Sequence, residues 1–180
     1  MSTEDLQKIS SVDFSFQFNS AREFQKVEKK IYNSLIEISN SSHKKQSSVG
    51  CLIVFGNFDF YRDHIVPGMR QIGINPIQKY FNISVQSFEK DFLSLIKENN
   101  DGSIIINRDG QILGSKIYLT VDNPVLDVPD GCGTRHISAA SFSTRKDVIS
   151  VFTLSEETNL VRIWKDGQIS EQYNPELESQ

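Results

Sequence analysis

Three short segments carry the residues of this chain that could do chemistry: Asp101-Gly102-Ser103, Gly133-Thr134-Arg135-His136 and Ser155-Glu156-Glu157-Thr158. Between them they offer carboxylates, a glycine-led helix start, a guanidinium, an imidazole and hydroxyls. A guanidinium fork matches phosphate oxygens, and one or two carboxylates suffice for a divalent ion that a phosphate chain also holds. The inventory therefore suits a nucleoside triphosphate with a divalent metal.

Each segment has a chemical reading and a plainer one. Gly133 lets the main chain come close to a ligand, and Thr134 is a good N-cap, so the amides of a following helix would point toward the loop as an anion site. Arg135 adds donors for phosphate, while His136 is either a further donor or a group that protonates leaving pyrophosphate. Taken alone, the same four residues read as an ordinary capped helix with a surface Arg and His. Asp101 stands at the mouth of a strand, where it could bind a metal and help activate a hydroxyl nucleophile, yet Asn-Asp-Gly is also common turn chemistry. A glutamate of Ser155–Thr158 could complete a metal site and Ser155 could bond a phosphate; alone, the stretch reads as a charged hairpin tip. His43 and His64 have no Cys or His at metal-ligand spacing.

The elements that must position these segments follow from periodicity. Met1 to about Asn19 forms a polar lead, with alternating Phe14, Phe16 and Phe18 allowing a short strand. Phe24, Val27, Ile31, Leu35 and Ile38 predict a helix from Ser20 to Ser39, with Ser20 and Glu23 as a capping box. Residues 40–48 read as a solvated loop, and Val49–Phe55 as a buried strand. Residues 57–81 are irregular, broken by Pro67, Gly68, Gly73 and Pro76. A second helix is expected from Ser84 to Glu98, with Phe88, Phe92, Leu95 and Ile96 inward. Then come a strand at 103–107, an Asp109-Gly110 hairpin turn, a return strand at 111–119, a loop to Gly133 and a helix to Arg145. Two strands near 148–154 and 160–165 lead to an Asp166-Gly167 turn and a polar tail from Gln172. The fold class is α/β, one mixed-sheet domain flanked by helices, without internal repeats. The expected boundaries are 1–19 for an N-terminal extension, 20–171 for the working domain and 172–180 for the tail.

Composition sets outer limits. At 180 residues, with 38% hydrophobic and 23% charged residues, the chain can bury one sizeable core and is neither disordered nor membrane-like. The net charge of −4 argues against general nucleic-acid binding but not against binding one nucleotide. The polar, acidic start lacks signal-peptide character and no apolar run approaches bilayer length, so the expectation is a cytoplasmic protein without membrane contact. Cys51 reads as a buried core thiol. Cys132 lies beside the Gly-Thr-Arg-His segment. Trp164, on a strand with Val161 and Ile163, reads as packing.

In order and spacing, the three segments resemble the catalytic domain of diadenylate cyclases, which condense two ATP molecules into cyclic di-AMP. That family carries Asp-Gly-Ala and Gly-Thr-Arg-His-Arg motifs, with Ser-Glu-Glu-Thr in many members. Val49–Phe55, Ile117-Tyr118-Leu119 and Val161–Gln168 are similar to the family's first core strand, adenine-contacting strand end and closing hairpin, so the likeness spans roughly Ser20 to Ile169. The resemblance implies one ATP per subunit, two subunits face to face as a homodimer or higher homo-oligomer, and a divalent metal (Mg or Mn). It implies catalytic roles for Asp101, Arg135 and His136, and ATP contacts from Gly102, Ser103, Tyr118, Leu119, Gly133, Thr134, Arg135, His136 and Ser155. Asp101 and Glu157 are the implied metal ligands. The transmembrane helices and C-terminal DNA-binding module common in the family find no counterpart in this sequence, so the expectation is a free-standing soluble domain with a short N-terminal extension.

The sequence departs from the pattern at three places. Ser103 replaces alanine, a small change. Asn100 stands where many members carry a histidine that assists the metal. Ile137 replaces the second arginine, removing a charged hydrogen bond worth about 1.5–3 kcal/mol, roughly ten- to a hundredfold in affinity. Lys116 and Arg145 are the basic residues considered as substitutes. The alternative to an active cyclase is a degenerate relative that binds ATP or cyclic di-AMP without turnover and acts as a regulatory subunit.

Overall fold

The computed structural model describes residues 3–47, 49–58, 68–71, 95–96, 102–129 and 131–177. Helix α1 runs from Thr3 to Lys45, 43 residues without a break. The expected lead with a strand at Phe14–Phe18 is instead helical. No Gly or Pro occurs before Gly50, so nothing in the covalent chain stops a helix once its packed half has nucleated it. Ser20 is accordingly interior to the helix rather than its cap, and the helix consumes most of the expected loop at 40–48. It ends with His43, Lys44 and Lys45 in its last turn, where cations complement the dipole, and with Gln46 at φ 51°.

Among the described residues the sheet has seven strands in the order β2-β4-β3-β1-β5-β6-β7. They are β1 (Cys51–Gly56), β2 (Met69–Gln71), β3 (Ser103–Asn107), β4 (Ile112–Leu119), β5 (Val148–Leu154), β6 (Val161–Lys165) and β7 (Gln168–Tyr173). β1 and β3 are parallel and every other neighbouring pair is antiparallel, so the sheet is mixed as expected. β2 falls within the stretch read as irregular and exists through its pairing with β4. Of the helix expected over 84–98, Leu95 and Ile96 are helical and buried, and the remainder lies outside the described residues. The tail expected from Gln172 begins later. β7 takes in Gln172 and Tyr173, and the Tyr173 hydroxyl donates to Asn40 Oδ1 of α1 at 2.9 Å.

Period-two alternation splits the apolar side chains between two layers. Cys51, Ile53, Phe55, Ile104, Ile106, Phe152, Leu154, Val161 and Ile163 pack with Ile31, Leu35, Ile38, Leu95 and Ile96 on the α1 face. Leu52, Val54, Ile105, Ile117, Val151 and Trp164 pack on the opposite face with Ala139, Ala140 and Phe142 of helix α2 (Thr134–Phe142). The five residues predicted for the inner stripe of α1 all reach the core, Phe24 and Val27 partly buried. Cys51 is a core thiol, and burial pushes it up to about 12. No described helix is long and apolar enough to cross a membrane.

Candidate active site

Strand register brings the three segments to one edge of the sheet. Parallel pairing of Ile53 with Ile104 puts the starts of β1 and β3 together, and antiparallel pairing of Cys51 with Leu154 adds the end of β5. Ser103 pairs with Ile117, so Tyr118 and Leu119 lie at this edge, and Leu154 opposite Val161 adds the start of β6. α2 begins over the same edge, with Arg135 lying across Gly50 just ahead of β1. A Cβ on Gly50 would fall on Arg135 Nη1 and reach the Glu156 Cβ at 3.0 Å. The Arg135 guanidinium therefore lies over the central strand, with Gly102-Ser103 on one side and the Ser155–Thr158 turn on the other. Its Nη2 is 3.8 Å from Glu156 Oε2. At that length and exposure the pair is weak and can be exchanged for a phosphate.

At the start of α2 the structure corrects the expected cap. Gly133, not Thr134, is the N-cap, and no side chain caps the helix. The Gly133 carbonyl accepts from the His136 and Ile137 amides at 2.9 and 3.3 Å, and Thr134 is the first helical residue, exposed. Gly133 is extended, at φ −84° and ψ −170°, and a Cβ there would meet nothing within 4 Å. Among the described residues, packing does not demand glycine there. The uncapped amides and the dipole favour an anion.

His136 is placed differently from a surface donor. It is 8% exposed, its ring 6.0 Å from that of Trp164, and its Nε2 is 3.0 Å from Arg162 Nη1. Arginine only donates, so Nε2 accepts and the proton sits on Nδ1. Nδ1 is buried with no hydrogen-bond partner among the described residues. Burial first, then the charges of Arg162 and Arg135, hold His136 down to about 4. In this arrangement the ring is neutral, and its Nε2 accepts from Arg162 rather than facing a ligand as a donor.

Gly102 has φ +83°, and a Cβ there would lie 2.9 Å from Ile117 N and the Lys116 carbonyl carbon, so its bare face is turned to β4 rather than to a ligand. Ser103 is 1% exposed and donates from Oγ to the Ile117 carbonyl at 2.9 Å. Both residues brace the strand mouth from which Asp101 issues; Asp101 and Asn100 themselves lie outside the described residues. Tyr118 is 52% exposed, a flat apolar surface at the edge, and Leu119 packs partly buried against the core on the α2 face. Ser155 is buried, its Oγ accepting from the Thr158 amide at 3.2 Å, in a turn that Ser39 of α1 ties down through a 2.6 Å hydrogen bond to the Asn159 carbonyl. Glu157 is exposed at the tip of that turn.

Among the described residues no three His, Cys, Asp or Glu side chains cluster to hold a metal. Of the basic residues considered as substitutes for the missing arginine, Arg145 is spent. Its Nε and Nη2 bond Asp147 at 2.9 and 2.6 Å, it lies 4.8 Å over Phe142 at the far end of α2, and it holds the Asp147 carboxyl below its usual range. Lys116 sits half-buried on β4. Two site residues escaped the sequence reading, Gly50 and Arg162. Only Arg162 left a trace, since alternation along Val161-Arg162-Ile163-Trp164 puts it on the same face as Trp164.

Comparison with known proteins places the chain in one family. Two curated relatives, each called diadenylate cyclase, are 29% identical over 82% of this chain (Methanocaldococcus jannaschii) and 26% identical over 88% (Haloferax volcanii). The chain spans 45% and 56% of those proteins, about half their length. Among solved structures, a double-cysteine mutant of DacA from Staphylococcus aureus matches with TM-score 0.52 and 24% identity, over 85% of this chain and 93% of that one. A hypothetical membrane-spanning protein from Bacillus cereus matches with TM-score 0.52 and 19% identity, over 79% and 61%. At these identities the structures speak for the fold. The family model described as DisA bacterial checkpoint controller nucleotide-binding (DAC) matches residues 39–169, from the end of α1 into β7 and across all three motif segments, and the chain belongs to that family.

Proposed function

We propose that this chain is a diadenylate cyclase, a nucleotidyltransferase that joins two ATP molecules into cyclic di-AMP in the cytoplasm. The observation that carries the reading is the meeting of Arg135, the uncapped start of α2, the Ser155–Glu157 turn and exposed Tyr118 at one sheet edge, where β3 also begins. Each of two facing subunits holds one ATP, with adenine on Tyr118 and Leu119 and the phosphates against Thr134, Arg135 and the α2 amides. The 3′-oxygen of each ATP forms a bond to the other's α-phosphorus, the bond from that phosphorus to the bridging oxygen breaks, and pyrophosphate leaves with the electron pair. The hydroxyl proton passes to Asp101 or to water. Two such steps close the ring.

Positioning and charge neutralisation carry most of the rate in phosphoryl transfer. Arg135 neutralises charge on the phosphates once it leaves Glu156. His136 fixes the start of α2 from below. Asp101 and Glu157 would hold a divalent metal together with the phosphates, and the metal would supply further charge neutralisation there.

The test is incubation with ATP and Mg²⁺ or Mn²⁺, with cyclic di-AMP read by mass spectrometry. The expected outcome is product with at least one metal, and a large loss of product in Asp101→Asn. ATP binding without product under either metal would instead favour the second reading, a regulatory subunit that binds without turnover. Ile137 is the observation that favours it.

A further inference from the structure

Arg162 is a charged side chain that the reaction above leaves without a part. It stands on the α2 face of β6, and its guanidinium is fixed from three directions. Nε donates to Gln172 Oε1 at 2.7 Å, and Nη1 reaches His136 Nε2 at 3.0 Å and Cys132 Sγ at 3.7 Å. Cys132 and His136 flank Gly133 and Thr134, so the guanidinium sits beside the turn that leads into α2.

None of these partners carries negative charge. Among the described residues the ion pairs of the other arginines are with Asp109, Glu156 and Asp147, and none involves Arg162. Its Nη2 donates to no described group. A half-buried guanidinium with no counter-charge among the described residues, close to Arg135 and to the positive end of a helix, is an unfavourable arrangement for that part of the protein alone. An anion of several charges at this turn would offset it, and a guanidinium already held in one orientation loses little freedom on binding. Arg135 and Arg162 both act on the His136 ring, so the two charges are neighbours.

We infer that Arg162 is the second guanidinium of the phosphate site, reaching from β6 to do what an arginine at Ile137 would do from α2, and that it positions His136 as it does so. This rests on the proposed ATP site and assigns to it a residue from another element. The ligand it favours is the polyphosphate, not the nucleoside.

The experiment measures binding by calorimetry with two probes, α,β-methylene-ATP and adenosine. Arg162→Gln is expected to weaken the first by about ten- to a hundredfold, the range of one charged hydrogen bond, and to leave adenosine unchanged. Adding Ile137→Arg to that variant is expected to restore most of the loss, a rescue that a merely structural role would not give. If Arg162→Gln does not fold, Arg162→Lys keeps stem and charge but loses the fork, and a drop of about threefold or more for the triphosphate alone is expected. Equal triphosphate binding by wild type and folded variant overturns the inference and leaves the cyclase reading standing. Binding that depends on Arg162 in a protein that makes no cyclic di-AMP leaves the inference and overturns the cyclase. A wild-type protein that binds neither probe overturns both.

Discussion

At Gly50 a hydrogen stands where any other residue has a side chain, and that decides where Arg135 can lie. Gly50→Ala would place a methyl group on the guanidinium. The end of a long side chain can swing away, so the substitution should displace Arg135 rather than unfold the protein. The expected result is an ATP affinity lower by about tenfold or more, with Tm moved by only a few degrees. Calorimetric titration and thermal melting of the same sample check both. His136 makes a second prediction at this scale. Its folded value, about 4, lies below the ordinary 6.5, so between those values the unfolded chain binds the extra proton. Stability should therefore fall as pH drops from about 6.5 to about 4, by on the order of 3 kcal/mol, and then cease to fall on this account. The Arg145–Asp147 pair acts in the same direction at lower pH, since a depressed carboxylate loses its stabilisation as it protonates. Denaturant melts across the range should show the first slope in wild type and a flatter one in His136→Gln; an unchanged slope would contradict the assignment. Arg135 and His136 were legible in the sequence because they sit together in one motif. The proton on His136 was not, because it depends on Arg162, which enters from a strand that appears later in the chain.

Among the elements, β3 and β4 show how a strand mouth is held. Gly102 turns with positive φ so that its backbone lies against Lys116 and Ile117, and Ser103 then bonds the Ile117 carbonyl. Gly102→Ala adds both a left-handed backbone penalty and a contact with backbone that cannot swing aside. The expected cost is about 1–3 kcal/mol, with activity lost through displacement of the Asp101 segment. Chemical denaturation gives the first quantity, and product formation well below Cm gives the second. The strong strands of the sheet were legible because runs of three consecutive β-branched or aromatic residues, Ile53–Phe55, Ile104–Ile106 and Val151–Thr153, leave little choice. α1 and β2 were not, for opposite reasons. The Phe14–Phe18 alternation is a local strand signal that a helix nucleated further along overrides, whereas Met69–Gln71 has no local strand signal and becomes a strand by pairing with β4. The Thr134 cap failed for a smaller reason: Gly133 already has the extended backbone a cap requires, which moves the helix start by one residue.

For the whole molecule, the strand order matters more than any single strand, because one parallel pair in an otherwise antiparallel sheet sends the starts of β1 and β3 and the ends of β4 and β5 to the same side. That order was not legible, since it is set by pairings between distant residues, yet it alone turns three separated motifs into one edge. The edge holds one start of α2, one Arg135 and one exposed Tyr118, the equipment for one nucleotide. Cyclic di-AMP has two equivalent phosphodiester bonds, and two copies related by a two-fold axis supply them most simply, each presenting the α-phosphate that the other's 3′-hydroxyl attacks. On the proposed mechanism a lone subunit can bind ATP and cannot make product. Specific activity should therefore rise with enzyme concentration below the dimer dissociation constant, approaching first-order growth in activity per mole at high dilution, and level off above it. Ultracentrifugation fixes that constant with ATP bound, and initial rates across at least two decades of concentration trace the curve. ATP binding per subunit should stay the same throughout, so a loss of rate on dilution is separated from a loss of substrate. A constant rate per mole in a sample shown to be monomeric would mean that one edge closes both bonds, and the two-subunit mechanism would have to be given up.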